Sequence, residues 1–163
     1  MVAEGSPAPG FELPGVRGKD RAMYNLEGAI ANGGALLAFY PCDFSPVCRG
    51  RLCKLRDVEW FAFRDGFSVL GISKDSLYAH EEFIRRHEIP FPLLSDTDGS
   101  VTEAYGLEHD HWEAQPGLPR RAFVVVDEEG VVRYRAVAED ANDVPDLDPL
   151  RDAVERVASP ELV

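Results

Sequence analysis

The sequence predicts an α/β fold with a mixed central sheet, on two observations. Short apolar runs of strand length, Ala35–Tyr40 and Phe67–Ser73, alternate with longer segments of helical periodicity. A third run, Arg121–Asp127, is followed across Glu128-Glu129-Gly130 by Val131–Ala136, the pattern of a hairpin. Strands that first alternate with helices and then end in a hairpin indicate an α/β protein with a mixed sheet.

Each element has its own local reason. Residues 1–9 are rich in Gly, Pro and Ala and are expected to lie flat on the domain surface. Phe11-Glu12-Leu13-Pro14 is a short extended piece, and Val16 to Tyr24 reads as a hairpin that turns at Gly18. Asn25-Leu26 to Ile30 is a helical turn closed by Asn32-Gly33-Gly34, and the strand Ala35–Tyr40 follows. A helix from Pro46 carries Leu52, Leu55, Val58 and Phe61 at threefold spacing, which keeps one face apolar. Trp60 and Phe61 read as core residues. After the strand Phe67–Ser73, Asp75-Ser76 caps a helix that runs through Phe83 to about His87 and is ended by Pro90. Phe91–Leu94 is a short strand, and Asp96 to Tyr105 a helical turn with a Gly ending. His109–Gly117 is a polar loop, residues 139–143 a solvated acidic linker, and Leu150–Val157 a closing amphipathic helix. With no repeat or low-complexity tract, residues 1–163 are expected to form a single domain.

The net charge of −12 argues against nucleic acid as a partner, since phosphate binding needs a basic footprint. Lysine is limited to Lys19, Lys54 and Lys74, a pattern that a salt-adapted host and Arg-rich codon usage explain equally well. No run approaches the ~20 apolar residues of a membrane-spanning helix. The N-terminus lacks the basic and apolar regions of a signal peptide. All three cysteines lie within residues 42–53, unlike the framework of a secreted disulfide-rich domain, so a cytoplasmic setting is expected.

That cysteine segment, residues 39–53, organises the chain. Pro41 stops the preceding strand. Ser45-Pro46 then reads as a helix start, with Ser45 at the N-cap and Pro46 at the first helical position. Cys48 falls at the third position, where its backbone N–H can donate to the Ser45 hydroxyl. Free N–H groups and the helix dipole favour an anion there. A cysteine so placed shifts towards thiolate, its reactive form.

Pro41-x-x-x-Ser45-x-x-Cys48 resembles the active-site motif of the peroxiredoxins, thiol peroxidases of the alkyl hydroperoxide reductase/thiol-specific antioxidant superfamily. The resemblance implies that Cys48 is the peroxidatic residue. It also implies that Ser45 hydrogen-bonds the peroxide and that Pro41 shapes the pocket and excludes water. Cys48-x-x-x-x-Cys53 resembles the subgroup named after bacterioferritin comigratory protein, in which the resolving cysteine lies five residues on; this implies that role for Cys53. Arg49-Gly50 through Leu55-Arg56-Asp57 also resembles the related one-cysteine group.

Three downstream pieces carry the same resemblance. They are Gly71-Ile72-Ser73-x-Asp75-Ser76 with His80 and Phe83, Phe91–Asp96 with Gly99 and Tyr105-Gly106, and Gly117–Asp127. In the family an Arg lies three residues before the Phe of the last piece, and Arg120 holds that spacing before Phe123. A guanidinium there would lower the thiol pKa and hold a peroxide oxygen as the O–O bond breaks. Arg121 is its neighbour and, on a strand, points to the opposite face, so a slip of one place would exchange the two roles. Together these matches cover roughly residues 5–135.

The fold implied is thioredoxin-like, with a mixed central sheet and an N-terminal extension. The chemistry implied is attack of Cys48 on H₂O₂ or an organic hydroperoxide to give a sulfenic acid, condensation with Cys53 to a disulfide, and reduction by a thioredoxin-like dithiol. Neither metal nor other cofactor is expected, and the protein would act as a monomer or homodimer.

Alternatives remain at the residue level. Positions five apart on an unbroken helix have Cα atoms about 8.6 Å apart, and a disulfide needs less than about 7 Å. The first turn must therefore unwind if Cys53 resolves. Otherwise Cys53 is a buried apolar side chain and an external thiol resolves. Cys42 has no counterpart in the motif and reads as a small loop residue, a second resolver or a thiol prone to mispairing. His109-x-His111 lacks a convincing third ligand, and the spacing of Cys42, Cys48 and Cys53 lacks the paired pattern of zinc sites. A disulfide carrier would want C-x-x-C, which is absent; a redox sensor or holdase role is compatible with the sequence.

Overall fold

The computed structural model describes residues 2–31, 33–43, 67–108, 119–138 and 147–158. They build one seven-stranded sheet in the order β2-β1-β5-β4-β3-β6-β7. The strands are β1 (Glu12–Arg17), β2 (Asp20–Asn25), β3 (Ala35–Phe39), β4 (Ser68–Ser73), β5 (Leu93–Ser95), β6 (Ala122–Val126) and β7 (Val132–Val137). Among the described residues the helices are α1 (Leu26–Ile30), α2 (Leu77–His87), α3 (Ser100–Ala104) and α4 (Leu147–Ala158).

β3 is apolar throughout because it is buried throughout. It pairs parallel with β4 and antiparallel with β6, and β4 pairs parallel with β5. Strand alternation then sends successive residues of β3 to two separate cores. Ala35, Leu37 and Phe39 pack with Leu26 and Ile30 of α1, Val101 of α3 and Tyr105. Leu36, Ala38 and the following Tyr40 pack with Phe83 and Ile84 of α2 and with Leu150, Ala153 and Val154 of α4. Helices thus cover both faces, as the continuous apolar strands require.

Local signals explain most boundaries. The β1–β2 hairpin turns at Gly18, whose φ of 61° suits glycine. The Asn25 side chain accepts from Gly28 N–H at 2.7 Å and starts α1. Ser76 caps α2 by accepting from Ala79 N–H at 3.2 Å. That helix ends at Glu88, which takes the left-handed conformation (φ 50°) two residues before Pro90. The closing helix begins at Leu147, one turn earlier than the periodicity from Leu150 indicates. Residues 2–9 lie along the β6–β7 hairpin, where Gly5 N–H donates to Val132 O and Ala8 N–H to Gly130 O, and Tyr105 OH donates to Pro9 O. The helix expected from Pro46, the 109–117 loop and the acidic linker at 139–143 fall outside the described residues.

Gly34 leads into β3 with φ 107°, and a Cβ there would stand 2.6 Å from Val126 O and 2.8 Å from a Val157 methyl. Gly34→Ala is therefore expected to lower the unfolding free energy by about 2 kcal/mol or more, from backbone strain and the clash with main chain. Chemical denaturation of the variant beside the parent checks this; an equal midpoint would contradict it.

Candidate active site

Parallel strands in an α/β sheet offer their carboxyl ends as a binding edge. Here β3, β4 and β5 run parallel, and polar residues gather where they end. β3 continues for one residue past Phe39, since Tyr40 N–H donates to Ile72 O at 3.1 Å. Pro41 follows and is buried, Cys42 is half-buried, and Asp43 is fully buried. From the end of β4 come Ser73 and Asp75, and from the first turn of α2 comes His80.

These side chains form one network. Tyr40 OH donates to Asp43 Oδ1 at 2.6 Å. The Asp43 N–H donates to Asp75 Oδ2 at 2.8 Å, and Ser73 Oγ donates to the same oxygen at 2.7 Å. His80 Nδ1 lies 2.7 Å from Asp43 Oδ2, and His80 Nε2 lies 3.1 Å from the carbonyl oxygen of Leu94. Burial pushes the Tyr40 hydroxyl far above its usual range, and the Asp43 charge adds to the push. Burial also raises the Asp75 carboxyl, with repulsion from Asp43 second, while the Ser73 hydrogen bond opposes both. The network ties the first residues of the cysteine segment to β3, β4, β5 and α2 at once.

Asp43, Asp75 and His80 bring potential ligand atoms within 4.8 Å of one another. Asp43 and His80 already share a short hydrogen bond, so a cation would have to displace the proton between them. The 109–111 histidines considered from the sequence lie outside the described residues.

The two adjacent arginines are separated by the strand register. Phe39 pairs with Ala122 and Ala38 with Phe123. β6 extends one residue towards its start, because Ala138 N–H donates to Arg121 O at 2.9 Å. The next step of the ladder sets Arg121 opposite Tyr40, on the face of Ala38 and Phe123. Arg121 is 4% exposed. Arg120 falls on the other face. Its Nε donates to Glu108 O at 3.3 Å and its backbone N–H to Leu107 O at 2.7 Å. Burial, and then the positive charge of Arg120, lower the pKa of Arg135, which places Arg120 in the electrostatic neighbourhood of β7. Spacing from Phe123 favours Arg120, whereas the register brings Arg121 to the Tyr40 side.

Of the residues singled out in the sequence, Pro41 and Arg120 are described; Ser45, Cys48 and Cys53 lie outside the described residues. Asp43 and His80 were not read as site residues. They are 37 positions apart, and the signal that points to them is a histidine on the same helical face as Phe83 and Ile84.

The sheet order, the helices on both faces and the polar cluster at the ends of the parallel strands define a thioredoxin-like α/β protein. The chain belongs to the AhpC/TSA family, whose model matches residues 5–135. A Coxiella burnetii protein that bears the name peroxiredoxin bcp is 40% identical over 134 residues, which are 80% of this chain and 85% of that one. Peroxiredoxin Q of Oryza sativa subsp. japonica chloroplasts is 34% identical over 133 residues, 82% of this chain; the match spans 58% of the plant protein. Among solved structures, reduced 2-Cys peroxiredoxin of Plasmodium vivax superposes with a TM-score of 0.84 at 26% identity, covering 99% of this chain and 85% of the other. Peroxidoxin BcpB of Mycobacterium tuberculosis gives 0.81 at 23% identity, covering 96% and 99%, a likeness of fold. Within its family the chain is a peroxiredoxin of the bcp type. Among the described residues no helix is long and apolar enough to cross a membrane.

Proposed function

We propose that this protein is a thiol peroxidase in which Cys48 attacks one oxygen of hydrogen peroxide or an organic hydroperoxide. The observation that carries the reading is the motif Pro41-x-x-x-Ser45-x-x-Cys48, which begins where β3 ends among the carboxyl ends of parallel strands, in a chain of this family. The attack forms an S–O bond and breaks the O–O bond. Cys48 becomes a sulfenic acid, and water or an alcohol departs once the leaving oxygen is protonated. Ser45 holds the peroxide. A guanidinium steadies the developing charge, and the register favours Arg121 over Arg120 for this position. Buried Pro41 closes one wall of the pocket.

Cys53 then attacks the sulfenic sulfur, expels water and forms a disulfide, which a thioredoxin-like dithiol reduces by exchange. Three cysteines confined to residues 42–53 fit a reducing, cytoplasmic compartment. In this reading the single domain of residues 1–163 works as a monomer or homodimer.

The resolving step is tested with two variants. Cys53→Ser should react once with peroxide, then lose turnover with a thioredoxin-type reductant and overoxidise at Cys48. Cys42→Ser should turn over as the parent does. Intact mass after one equivalent of peroxide gives the second readout: the parent should lose two hydrogens, and Cys53→Ser should gain one oxygen. Undiminished turnover without Cys53, paired with failure without Cys42, would move the resolving role to Cys42. Full turnover in both would leave a one-cysteine mechanism with an external thiol.

A further inference from the structure

His80 is fully buried, and each of its ring nitrogens faces an acceptor. A neutral imidazole carries one N–H and one lone pair. It could donate to the Leu94 carbonyl or to the Asp43 carboxylate, and its other nitrogen would then point a lone pair at an oxygen that also has only lone pairs to offer. A backbone carbonyl cannot supply a proton, so the contact at Nε2 requires an N–H there. The contact at Nδ1 requires one further proton between the ring and the carboxylate.

The remaining partners of Asp43 decide on which side that proton rests. Tyr40 OH already donates to Oδ1, which favours the carboxylate form. The second carboxyl group in the network, Asp75, accepts from Ser73 and from the Asp43 backbone and has no proton donor to give the ring. Asp96, the buried acid just after β5, is turned away onto Val101 N–H and the amide and hydroxyl of Thr102. The contact between His80 Nδ1 and Asp43 Oδ2, at 2.7 Å, has the length of a charge-assisted bond.

We propose that His80 is a positioning residue, an imidazolium at neutral pH that grips Asp43 and thereby fixes the start of the segment bearing Cys48. Asp43 stands five residues before Cys48 and two before Ser45 in the chain, so a shift of Asp43 is expected to carry into both. The link to the thiol rests on the peroxidase reading; the charge state of His80 does not. The grip is shared among elements: Tyr40 ends β3, Asp75 follows β4, His80 rides on α2, and Leu94 lies in β5. Displacement of a reacting group by about 1 Å can cost a hundredfold in rate.

Three readouts test the proposal. In the ¹⁵N-labelled parent, the imidazole resonances of His80 should show protons on both nitrogens at neutral pH. In Asp43→Asn the amide can donate to Nδ1 and still accept from Tyr40, so the ring should fall to a single N–H, on Nε2, with the hydrogen-bond pattern preserved. His80→Leu should slow peroxide oxidation of Cys48 about ten- to a hundredfold and speed solvent exchange of the Asp43 amide, while Asp43→Asn should do less of both. A parent ring with only one N–H would overturn the proposal. So would a folded His80→Leu protein with unchanged Asp43 exchange. A parent whose Cys48 ignored peroxide would defeat the peroxidase reading instead, and the ring protons and the Asp43 amide would still decide the role of His80. Should His80→Leu not fold, the loss of a ring proton in Asp43→Asn carries the test alone, and its absence overturns the claim.

Discussion

Cys48→Ser is expected to abolish peroxide consumption, by at least about a thousandfold. A serine hydroxyl does not ionise near neutral pH, whereas a thiol ionises far more readily and its anion is the reactive form. The loss should appear in the first turnover, before any reductant is needed, because the missing step is formation of the S–O bond. The folded state should be unaffected. Initial rates of peroxide disappearance, with circular dichroism as a control for folding, make the comparison. Retention of about a tenth of the activity would mean that another group is the nucleophile.

Arg121→Ala is expected to have the second largest effect, slowing the peroxide step about a hundred- to a thousandfold. It should also move thiolate formation at Cys48 to higher pH, since a nearby guanidinium favours the anion. Arg120→Ala should spare both properties. The difference follows from strand geometry. Arg121 continues the face of Tyr40, Ala38 and Phe123, and Arg120 continues the face of Phe39 and Ala122. Arg120 moreover already donates to Glu108 O. Rates of Cys48 oxidation across a pH series for both variants decide the matter. A reversed pattern would mean that the spacing before Phe123, and not the register of β6 on β3, locates the functional guanidinium.

Much of the architecture is legible in the sequence because it rests on local rules. β3 reads as a buried strand from five consecutive apolar residues, and the β6–β7 hairpin from two β-rich runs flanking Glu128-Glu129-Gly130. The starts of α1 and α2 follow from Asn25 and Ser76, whose side chains cap them. Boundaries were less legible. The end of α2 is set by Glu88 in a left-handed conformation, which nothing in the residue type announces, and Pro90 merely follows. The pairing of residues 2–9 with the β6–β7 hairpin was also out of reach, since it depends on where Val132 and Gly130 arrive in space.

The site divides the same way. Pro41, Ser45, Cys48 and Cys53 form a pattern within 13 residues, so chain order alone displays it. Asp43 and His80 touch only because β3 and α2 meet at one edge of the sheet. The choice between Arg120 and Arg121 likewise turns on which face each residue reaches, and a register of one place inverts it. Spacing counts residues and cannot see that pairing.

The most direct measurement is the second-order rate at which hydrogen peroxide oxidises Cys48 in the reduced protein, followed by stopped flow and set beside that of a free cysteine thiolate. A peroxidatic site that aligns the two oxygens and stabilises the leaving charge predicts a rate several orders of magnitude above the free thiolate, lost in Cys48→Ser. A rate no faster than the free thiolate would contradict the account and leave a redox sensor or holdase in its place.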